Sequence, residues 1–498
     1  MIQVTGKAWC GVILIAAILA SLAPAHAEDK SDKSLLDVLR QKHVLTQQDY
    51  ERLKSSELTP AQRAALIEVL RDKGVLTKDE AAKLESAAPA APAAAKPAST
   101  LPQVGYDEGF FLRTEDGNFS MRINGRIAED FLFSEPNSSP SDTQTLDRAR
   151  LGVDATFYKY FRMRLENEFS SGAFSGSSGL RDAFIAVTPM PEFNLQAGQY
   201  PVPVSYESIL SKKYTNFVER AAVVSSTFNP RRDVGVMAYG QFANKLVQYQ
   251  IAGMNGAGQN RADNNGDKDL VAHLVVAPFV NEGPEHLRGF NFGSGVTWGH
   301  QPTETFDKSG NPTTKSSMSG LTETFFTFFP AVTRHGDRLR WGSHVAWLGG
   351  PFSVVSEYIQ TEEARDGLGK NGADLPRLYT DGAYVDGTWM ITGEPKPYNA
   401  RMRPKRPLWD LKNPGPGAWE AALRYEYYKL RHGAGPGDAE LDNRYDAIVA
   451  GINWYPNEFF RFSVNYLYGS FANRGANKSP NPAQHSNNLV LCRAQVEF

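Results

Sequence analysis

The chain has 498 residues, a formal net charge of -2, and a polar average with 43 glycines, 28 phenylalanines and 20 tyrosines. The near-zero charge excludes bulk attraction to nucleic acid or anionic lipid, so any anion site must be a local feature. This length allows several domains or one large sheet structure, and the composition indicates many turns and strands.

Residues 1–27 have the three-part pattern of a secretory signal peptide, with Lys7, an apolar run and the triplet AHA that ends at Ala27. We predict cleavage after Ala27. The alternative is a retained membrane anchor, for which the apolar run is short. Cys10 leaves with the signal, so Cys492 is the last cysteine and no internal disulfide is expected.

Residues 28–85 contain a repeat, because DVLRQKHVLTQQDYERL from Asp37 resembles EVLRDKGVLTKDEAAKL from Glu68. In each copy a second helix begins at a threonine followed three residues later by an acid, which is a capping box. We expect a small α-helical repeat, either a structural stalk or a contact with peptidoglycan or a periplasmic partner. Residues 86–104 are rich in proline and alanine and form the predicted linker.

Residues 105–498 are dominated by apolar and polar residues in strict alternation, the period of a β-strand with two different environments. In FSMRINGRI, for example, Phe119 and Met121 share one face and Arg122 and Arg126 share the other. The last residues, NNLVLCRAQVEF, alternate in the same way and end on Phe498. An edge strand of a soluble sandwich would alternate too.

Export, aromatic strand ends and the contrast between tight turns and long polar loops favour a membrane protein instead. TPMPE and GQFANK are tight turns, whereas SEPNSSPSDTQT is a long polar loop. We therefore predict an all-β fold, a transmembrane antiparallel β-barrel of about 16 strands over residues 105–498 with a polar lumen. The chain would lie in the bacterial outer membrane, in contact with its lipid, and Phe498 resembles the terminal signal that the barrel assembly machinery recognises.

If the apolar faces point to lipid, arginines of the first three strands point into the lumen: Arg122, Arg126, Arg148, Arg150, Arg162 and Arg164. Guanidinium groups stay charged and offer forked donors to phosphate or carboxylate oxygens, so they would attract anions. The alternative is that these arginines pair with nearby acids such as Glu166, Glu168, Asp154 and Asp182 and only neutralise the lumen.

The stretch of residues 200–233 breaks the alternation after the fifth strand, which makes it the third external loop and a candidate to fold into the pore. It contains Lys212, Lys213, Arg220, Arg231 and Arg232 and has a positive excess. Elsewhere the nine histidines are scattered without metal-ligand spacing, and no catalytic motif stands out. We predict no enzyme activity, no cofactor, no metal and no nucleic-acid partner.

The order of several motifs resembles the phosphate-selective porins O and P of Gram-negative bacteria. They include DGNFSMRINGRIAEDF, RARLGVDATFYKYFRMRLENEF, LRDAFIAV, KKYTNFVER, ITGEPKPY and GINWYPNEFFRFSVNYLYG. The resemblance implies a sixteen-stranded barrel, a homotrimer and an arginine-lined path to a central anion site. It places Arg126, Arg148, Asp182 and Lys213 among channel-lining or anion-binding groups, and Arg162 where a wall lysine is usual.

Two departures from the family pattern favour a broader anion channel. Asp147 and Arg148 stand where paired arginines are expected, and HQPTETFDKSGNPTTKSSMSG replaces an arginine-rich loop after Trp298. We predict passive uptake of inorganic anions, phosphate or polyphosphate. The alternatives are a general diffusion porin and a structural or adhesive protein with a plugged barrel. The predicted pore-lining residues are Arg126, Arg148, Arg150, Arg162, Arg164, Asp182, Lys213 and Arg220.

Overall fold

The computed structural model describes residues 77, 102–134, 142–170, 179–228, 231–263, 265–301, 317–321, 323–327, 335–368, 370–409, 412–432, 441–472 and 486–498. Apart from Thr77, the predicted signal peptide, the helical repeat and the linker up to residue 101 lie outside the described residues. The first strand begins at Gln103, two residues before the predicted start of the barrel segment.

The strands follow one another with little helix between them. In chain order they are β1 (Gln103–Tyr106), β2 (Phe110–Arg113), β3 (Phe119–Ser134), β4 (Thr143–Phe157), β5 (Phe161–Glu168), β6 (Gly179–Met190), β7 (Phe193–Pro201), β8 (Arg232–Phe242), β9 (Val247–Met254), β10 (Asp269–Val276), β11 (Asn291–Gln301), β12 (Ser317–Leu321), β13 (Glu323–Thr327), β14 (Gly336–Gly349), β15 (Phe352–Arg365), β16 (Leu375–Met390), β17 (Ala418–His432), β18 (Leu441–Tyr455), β19 (Phe460–Ala472) and β20 (Ser486–Glu497). Short 3-10 turns lie at Glu285–Leu287 and Lys370–Gly372.

A closed antiparallel barrel of 16 strands is built from β3 to β11 and β14 to β20. Each strand pairs with the next along the chain, β11 pairs with β14, and β20 returns to pair with β3. Closure satisfies every backbone edge within the wall, as a membrane-spanning sheet requires. The predicted all-β barrel and its strand number are confirmed.

The seam between the first and last barrel strands is covered at one end by the hairpin of β1 and β2. β20 pairs with residues 126–134 of β3. β2 pairs with residues 120–123 of the same strand, where Phe110 is opposite Ile123. Gly125 and Phe498 exchange backbone hydrogen bonds of 3.0 and 3.1 Å at the junction. The Phe498 ring lies over Gly125, where a Cβ would be 2.5 Å from the ring, so any larger residue here would displace the ring.

The two faces of the wall have the predicted chemistry. On β17, Leu423 is 58% exposed on the outer face and its neighbour Arg424 is 1% exposed in the lumen. Aromatic residues collect at the strand ends near the short turns, where Phe352 stacks on Trp389 and Trp419 stacks on Trp454. Such rings belong at the boundary between hydrocarbon and water. Among the described residues, no helix combines the length and hydropathy needed to cross a bilayer.

The predicted third loop lies between β7 and β8, and its described residues, 202–228 and 231, fold inside the barrel. It contains two short helices, α1 (Tyr206–Ile209) and α2 (Ala222–Thr227), and Ser205 caps α1 by accepting a hydrogen bond from the Ser208 amide. Its apolar residues pack on lumen-facing side chains, and Phe217 and Val218 cover Leu489 and Leu491 of the last strand. This contact explains why an otherwise polar lumen face contains two leucines.

A second long segment, residues 391–417, connects β16 to β17 at the short-turn end of the barrel. Its Tyr398 ring contacts the Tyr206 ring at 5.6 Å, and its Asn399 side chain accepts a hydrogen bond from the Ser211 amide at 3.2 Å. The segment therefore enters the lumen and meets the third loop from the other side. The alternating strand pattern gave no indication of this element. β12 and β13 form a separate hairpin between β11 and β14.

Candidate functional site

The third loop is fixed to the lumen wall by side chains that accept hydrogen bonds from its backbone. Glu357 of β15 accepts from the amides of Tyr206 at 2.8 Å and Glu207 at 3.3 Å. Asn465 of β19 accepts from the Val218 amide at 2.7 Å. A buried loop leaves backbone N–H groups without sheet partners, and these contacts satisfy them. The loop is therefore anchored to the pore wall at several points.

One arginine holds the centre of this attachment. The guanidinium of Arg424 contacts Asp386 at 2.6 and 2.9 Å and Glu207 of the loop at 2.6 Å. It also lies over the Phe217 ring, 4.6 Å from the ring centre, and the whole side chain is buried. Because several buried carboxylates depend on a single cation, the loss of Arg424 would leave them uncompensated.

The opposite sector of the lumen, on β3 to β6 and the start of β8, is rich in arginine. We refer to its lumen-facing arginines as the arginine wall: Arg126, Arg148, Arg150, Arg162, Arg164, Arg181 and Arg232. Acids from neighbouring strands lie between them. The structure thus brings together most of the residues that strand alternation predicted for the lumen.

Some members of the arginine wall are fully paired, as the alternative hypothesis proposed. Arg150 contacts Glu168 at 2.5 Å and Glu166 at 3.0 Å. Arg164 contacts Asp154 at 2.8 Å, Glu166 at 2.9 Å and Asp182 at 3.1 Å. Asp182 also accepts from Arg232 at 2.6 Å. These arginines neutralise the acids of the wall and hold neighbouring strands together.

Arg126 differs from them, because both of its terminal nitrogens are buried and have no hydrogen-bond partner within the described part of the chain. The cross-strand neighbours of Arg126 are Arg150 and Glu497. The carboxylate of Glu497 is already engaged by Lys213 at 3.0 Å and by Arg401 at 3.5 Å. The guanidinium of Arg126 is therefore a buried cation, and the acid opposite it on β20 is occupied by other cations.

Arg148 is placed by an irregularity in β4. Its cross-strand partner is Ala128, but the next residue of β3, Glu129, is opposite Leu146, so Asp147 is an extra residue in a β-bulge. Asp147 and Arg148 are both buried on the lumen side, although they are adjacent in sequence. The Arg148 side chain contacts Asp147 at 2.8 Å and Glu168 at 3.7 Å.

The remaining predicted residues lie in different places. Lys213 lies at the short-turn side of the third loop, and its ammonium nitrogen is 4.6 Å from the centre of the Tyr214 ring. Arg162 is exposed in the lumen, and no ion pair is seen for it among the described residues. Arg220 is buried and donates to two carbonyls of its own loop, those of Glu207 at 3.0 Å and Leu210 at 2.7 Å. This geometry gives Arg220 a structural role instead of the predicted place on the pore surface.

Sequence analysis missed a group of cations around Lys213. A small cavity beside Lys213 is lined by Lys396 and Arg401 of the segment 391–417 and by Arg461 of β19. Alternation on β19 could have identified Arg461. For Lys396 and Arg401, the signal in the sequence was that the connection between β16 and β17 is long and basic for the short-turn end of the barrel. That segment has no periodic pattern that would assign its side chains to the lumen.

Burial changes the titration of the third loop. Removal from water lowers the pKa of Lys212 to about 8, although Asp147 at 3.5 Å and Glu219 at 2.5 Å act in the opposite direction. Burial also raises the pKa of the Glu219 carboxyl. Lys212 therefore stays charged at neutral pH and loses its charge under mildly alkaline conditions.

Groups suited to other chemistry are not apparent in the described ranges. No cluster of three or more His, Cys, Asp or Glu residues there could hold a metal ion. A lumen cavity of about 640 Å³ on the short-turn side of the third loop is lined mainly by amides and rings, among them Gln250, His273, Asn291 and Tyr398. The residues that line this cavity include no pairing of a nucleophile with a base.

Comparison with known proteins agrees with this architecture. The profile of the phosphate-selective porin O and P family matches residues 121–498. The chain belongs to this family. It is therefore a channel of the bacterial outer membrane that passes anions, and not an enzyme.

Individual relatives are distant. Porin O of Pseudomonas aeruginosa is 25% identical over 390 residues, which cover 72% of this chain and 85% of that protein. An uncharacterised protein of Caulobacter vibrioides is 24% identical over 437 residues, which cover 82% of this chain and 80% of the relative. Among solved structures, a trimer form of OmpT from Vibrio cholerae has a TM-score of 0.50 at 13% identity and covers 76% of this chain and 99% of that chain. The last likeness concerns the fold alone.

Proposed function

We propose that this porin takes up phosphate or polyphosphate passively through an arginine-lined pore, and that Arg126 is the principal anion-binding group. The observation that supports the proposal is the pair of unpartnered terminal nitrogens on the buried Arg126. An uncompensated buried charge is costly to a fold. A transported anion that contacts this group removes that cost and gains charge-assisted hydrogen bonds in return.

The geometry of a guanidinium favours oxyanions over halides. Its planar fork can bind two oxygens of one phosphate at once, whereas chloride accepts from a single point. The exposed Arg162 extends the positive sector along the lumen without a tight partner. In contrast, Arg150 and Arg164 are neutralised by acids. The field is therefore moderate, and we expect anion selectivity without permanent retention of the anion.

We propose a homotrimer on two grounds. The chain belongs to the porin O and P family, and the resemblance to that family implies a homotrimer. A trimer form is also known for OmpT, a protein with a similar barrel. We further propose that the outer-membrane assembly machinery recognises the closing strand that ends at Phe498. Residues 28–85 remain a proposed helical stalk, with peptidoglycan or a periplasmic protein as its contact.

Purified trimer in planar lipid bilayers tests the pore function. We expect a reversal potential in a salt gradient that indicates anion preference, and a chloride current that falls as phosphate is added. A cation-preferring reversal potential, or a chloride current insensitive to phosphate, would contradict phosphate selectivity and leave a general diffusion porin. Absence of any steady current from folded trimer would support a plugged structural protein.

A further inference from the structure

The bulge in β4 places an acid among the cations of the lumen wall. Asp147 is the extra residue of that bulge, and its side chain is completely buried on the lumen face. Regular alternation continued back from Arg150 and Arg148 would have turned Asp147 towards lipid. A β-bulge near a functional site re-aims a side chain, and here the re-aimed side chain is a carboxylate among arginines.

The contacts of Asp147 are those expected of a bound oxyanion. Its Oδ2 accepts from Arg493 of β20 at 2.6 Å and lies 3.5 Å from the Lys212 ammonium of the third loop. Its Oδ1 accepts from Arg148 at 2.8 Å. Three cations from three separate elements thus converge on one carboxylate, as they would on a phosphate or a small carboxylate ligand.

Each of these cations also has a second acidic contact. Arg493 binds Asp130 with two contacts of 2.6 Å, Lys212 binds Glu219 at 2.5 Å, and Arg148 lies 3.7 Å from Glu168. The three cations are therefore held in place without Asp147. The role of Asp147 in this group is mainly to add one negative charge at the point where the donors converge.

We infer that Asp147 is a resident counter-ion that occupies the strongest anion position of the pore and keeps the affinity for transported anions low. This inference rests on the proposed anion-uptake function and names the residue that limits it. With Asp147 present, a passing anion finds Arg126 free but must compete with the carboxylate for Arg148, Lys212 and Arg493. The anion consequently binds briefly and moves on, which favours flux over retention.

Two substitutions at this position separate charge from shape. Asp147→Asn keeps the size of the side chain and removes its charge, and Asp147→Ala also vacates the space in front of the three donors. We expect phosphate to block the chloride current at concentrations about ten- to a hundredfold lower in both variants, because one charge-assisted contact becomes available. Phosphate release should slow, with longer current interruptions in single-channel records.

Asp446→Asn is the matched control. Asp446 pairs with Arg444 at 2.7 Å on the outer face of β18, so this variant makes the same charge change away from the lumen. Its phosphate block should equal that of the wild type. Heat-modifiable migration and trimer content of each variant show whether the barrel has folded, and single-channel conductance shows whether the third loop is in place.

The outcomes distinguish this inference from the proposed function. Phosphate block in the wild type with no change in either Asp147 variant overturns the inference and leaves the function intact. A larger conductance with unchanged phosphate affinity in both variants also overturns it, because Asp147 would then serve only to fix the loop. Block that is absent from the wild type and appears in the variants supports the counter-ion role and contradicts a phosphate-selective wild-type pore.

Discussion

Replacement of Arg126 by alanine should weaken phosphate block of the chloride current by about ten- to a hundredfold. The terminal nitrogens of Arg126 have no hydrogen-bond partner among the described residues, so the substitution removes their contacts to the anion and breaks no hydrogen bond that they make to the wall. A charge-assisted hydrogen bond contributes about 1.5 to 3 kcal/mol, and about 1.4 kcal/mol corresponds to a factor of ten. One lost contact therefore accounts for the expected range.

The same reasoning predicts an unusual effect on stability. Arg126 lies near Arg148, Arg150 and Arg493, so its removal relieves repulsion and leaves no acid without a cation. We expect the Arg126→Ala barrel to unfold at the same temperature as the wild type or higher. Arg150→Ala removes the same charge from the adjacent strand but leaves Glu168 buried without its closest cation. That variant should lose up to about 3 to 5 kcal/mol of stability.

The assay combines two measurements on each variant: the phosphate concentration that halves the chloride current, and the temperature at which the trimer loses its compact migration. Arg444→Ala, on the outer face of β18, is the control for charge removal and should leave phosphate block unchanged. Wild-type phosphate block in Arg126→Ala would refute the proposed role of Arg126. A marked loss of stability in the same variant would show that its guanidinium has a partner in the folded protein.

Three further predictions concern the third loop and the N-terminal segment. Arg424→Met should leave its acidic partners uncompensated, lower stability by about 3 to 5 kcal/mol and release the loop, which a larger and less selective single-channel conductance would reveal. Anion selectivity should fall as the pH rises through about 8 because Lys212 loses its proton there, and Lys212→Arg should flatten that profile in reversal-potential measurements. Deletion of residues 28–101 should leave conductance unchanged, since the described barrel closes without them, and a folded truncation that conducts poorly would contradict the proposed independence of the stalk.

The sequence by itself determined the barrel, because a strand that spans a membrane meets hydrocarbon on one face and water on the other. Side chains alternate along a strand with a period of two, so lipid on one face and water on the other produce alternating apolar and polar residues in the sequence. Leu423 and Arg424 are adjacent in sequence and face opposite environments for this reason. The closing strand, the tight turns and the position of the inward loop followed from the same pattern.

Periodicity failed where the backbone departs from it. The bulge at Asp147 places two consecutive residues, Asp147 and Arg148, on one face of the strand. The alternation of apolar and polar residues does not show where a strand contains such an extra residue. The segment 391–417 enters the lumen without any strand pattern, so its Lys396 and Arg401 could not be assigned to the pore. Arg220 was assigned to the pore surface by its charge, whereas its donors are directed at carbonyls of its own loop.

Only the tertiary structure decided which of two neighbouring arginines is paired with an acid and which is not. Arg126 and Arg150 are the same residue type on the same lumen face, and they are cross-strand neighbours. Arg150 is opposite Glu168 and pairs with it, whereas Arg126 is opposite Glu497, which Lys213 and Arg401 already engage. Those two cations come from segments remote in sequence, so the pairing of Glu497 depends on contacts between distant parts of the chain and could not be derived from any local pattern.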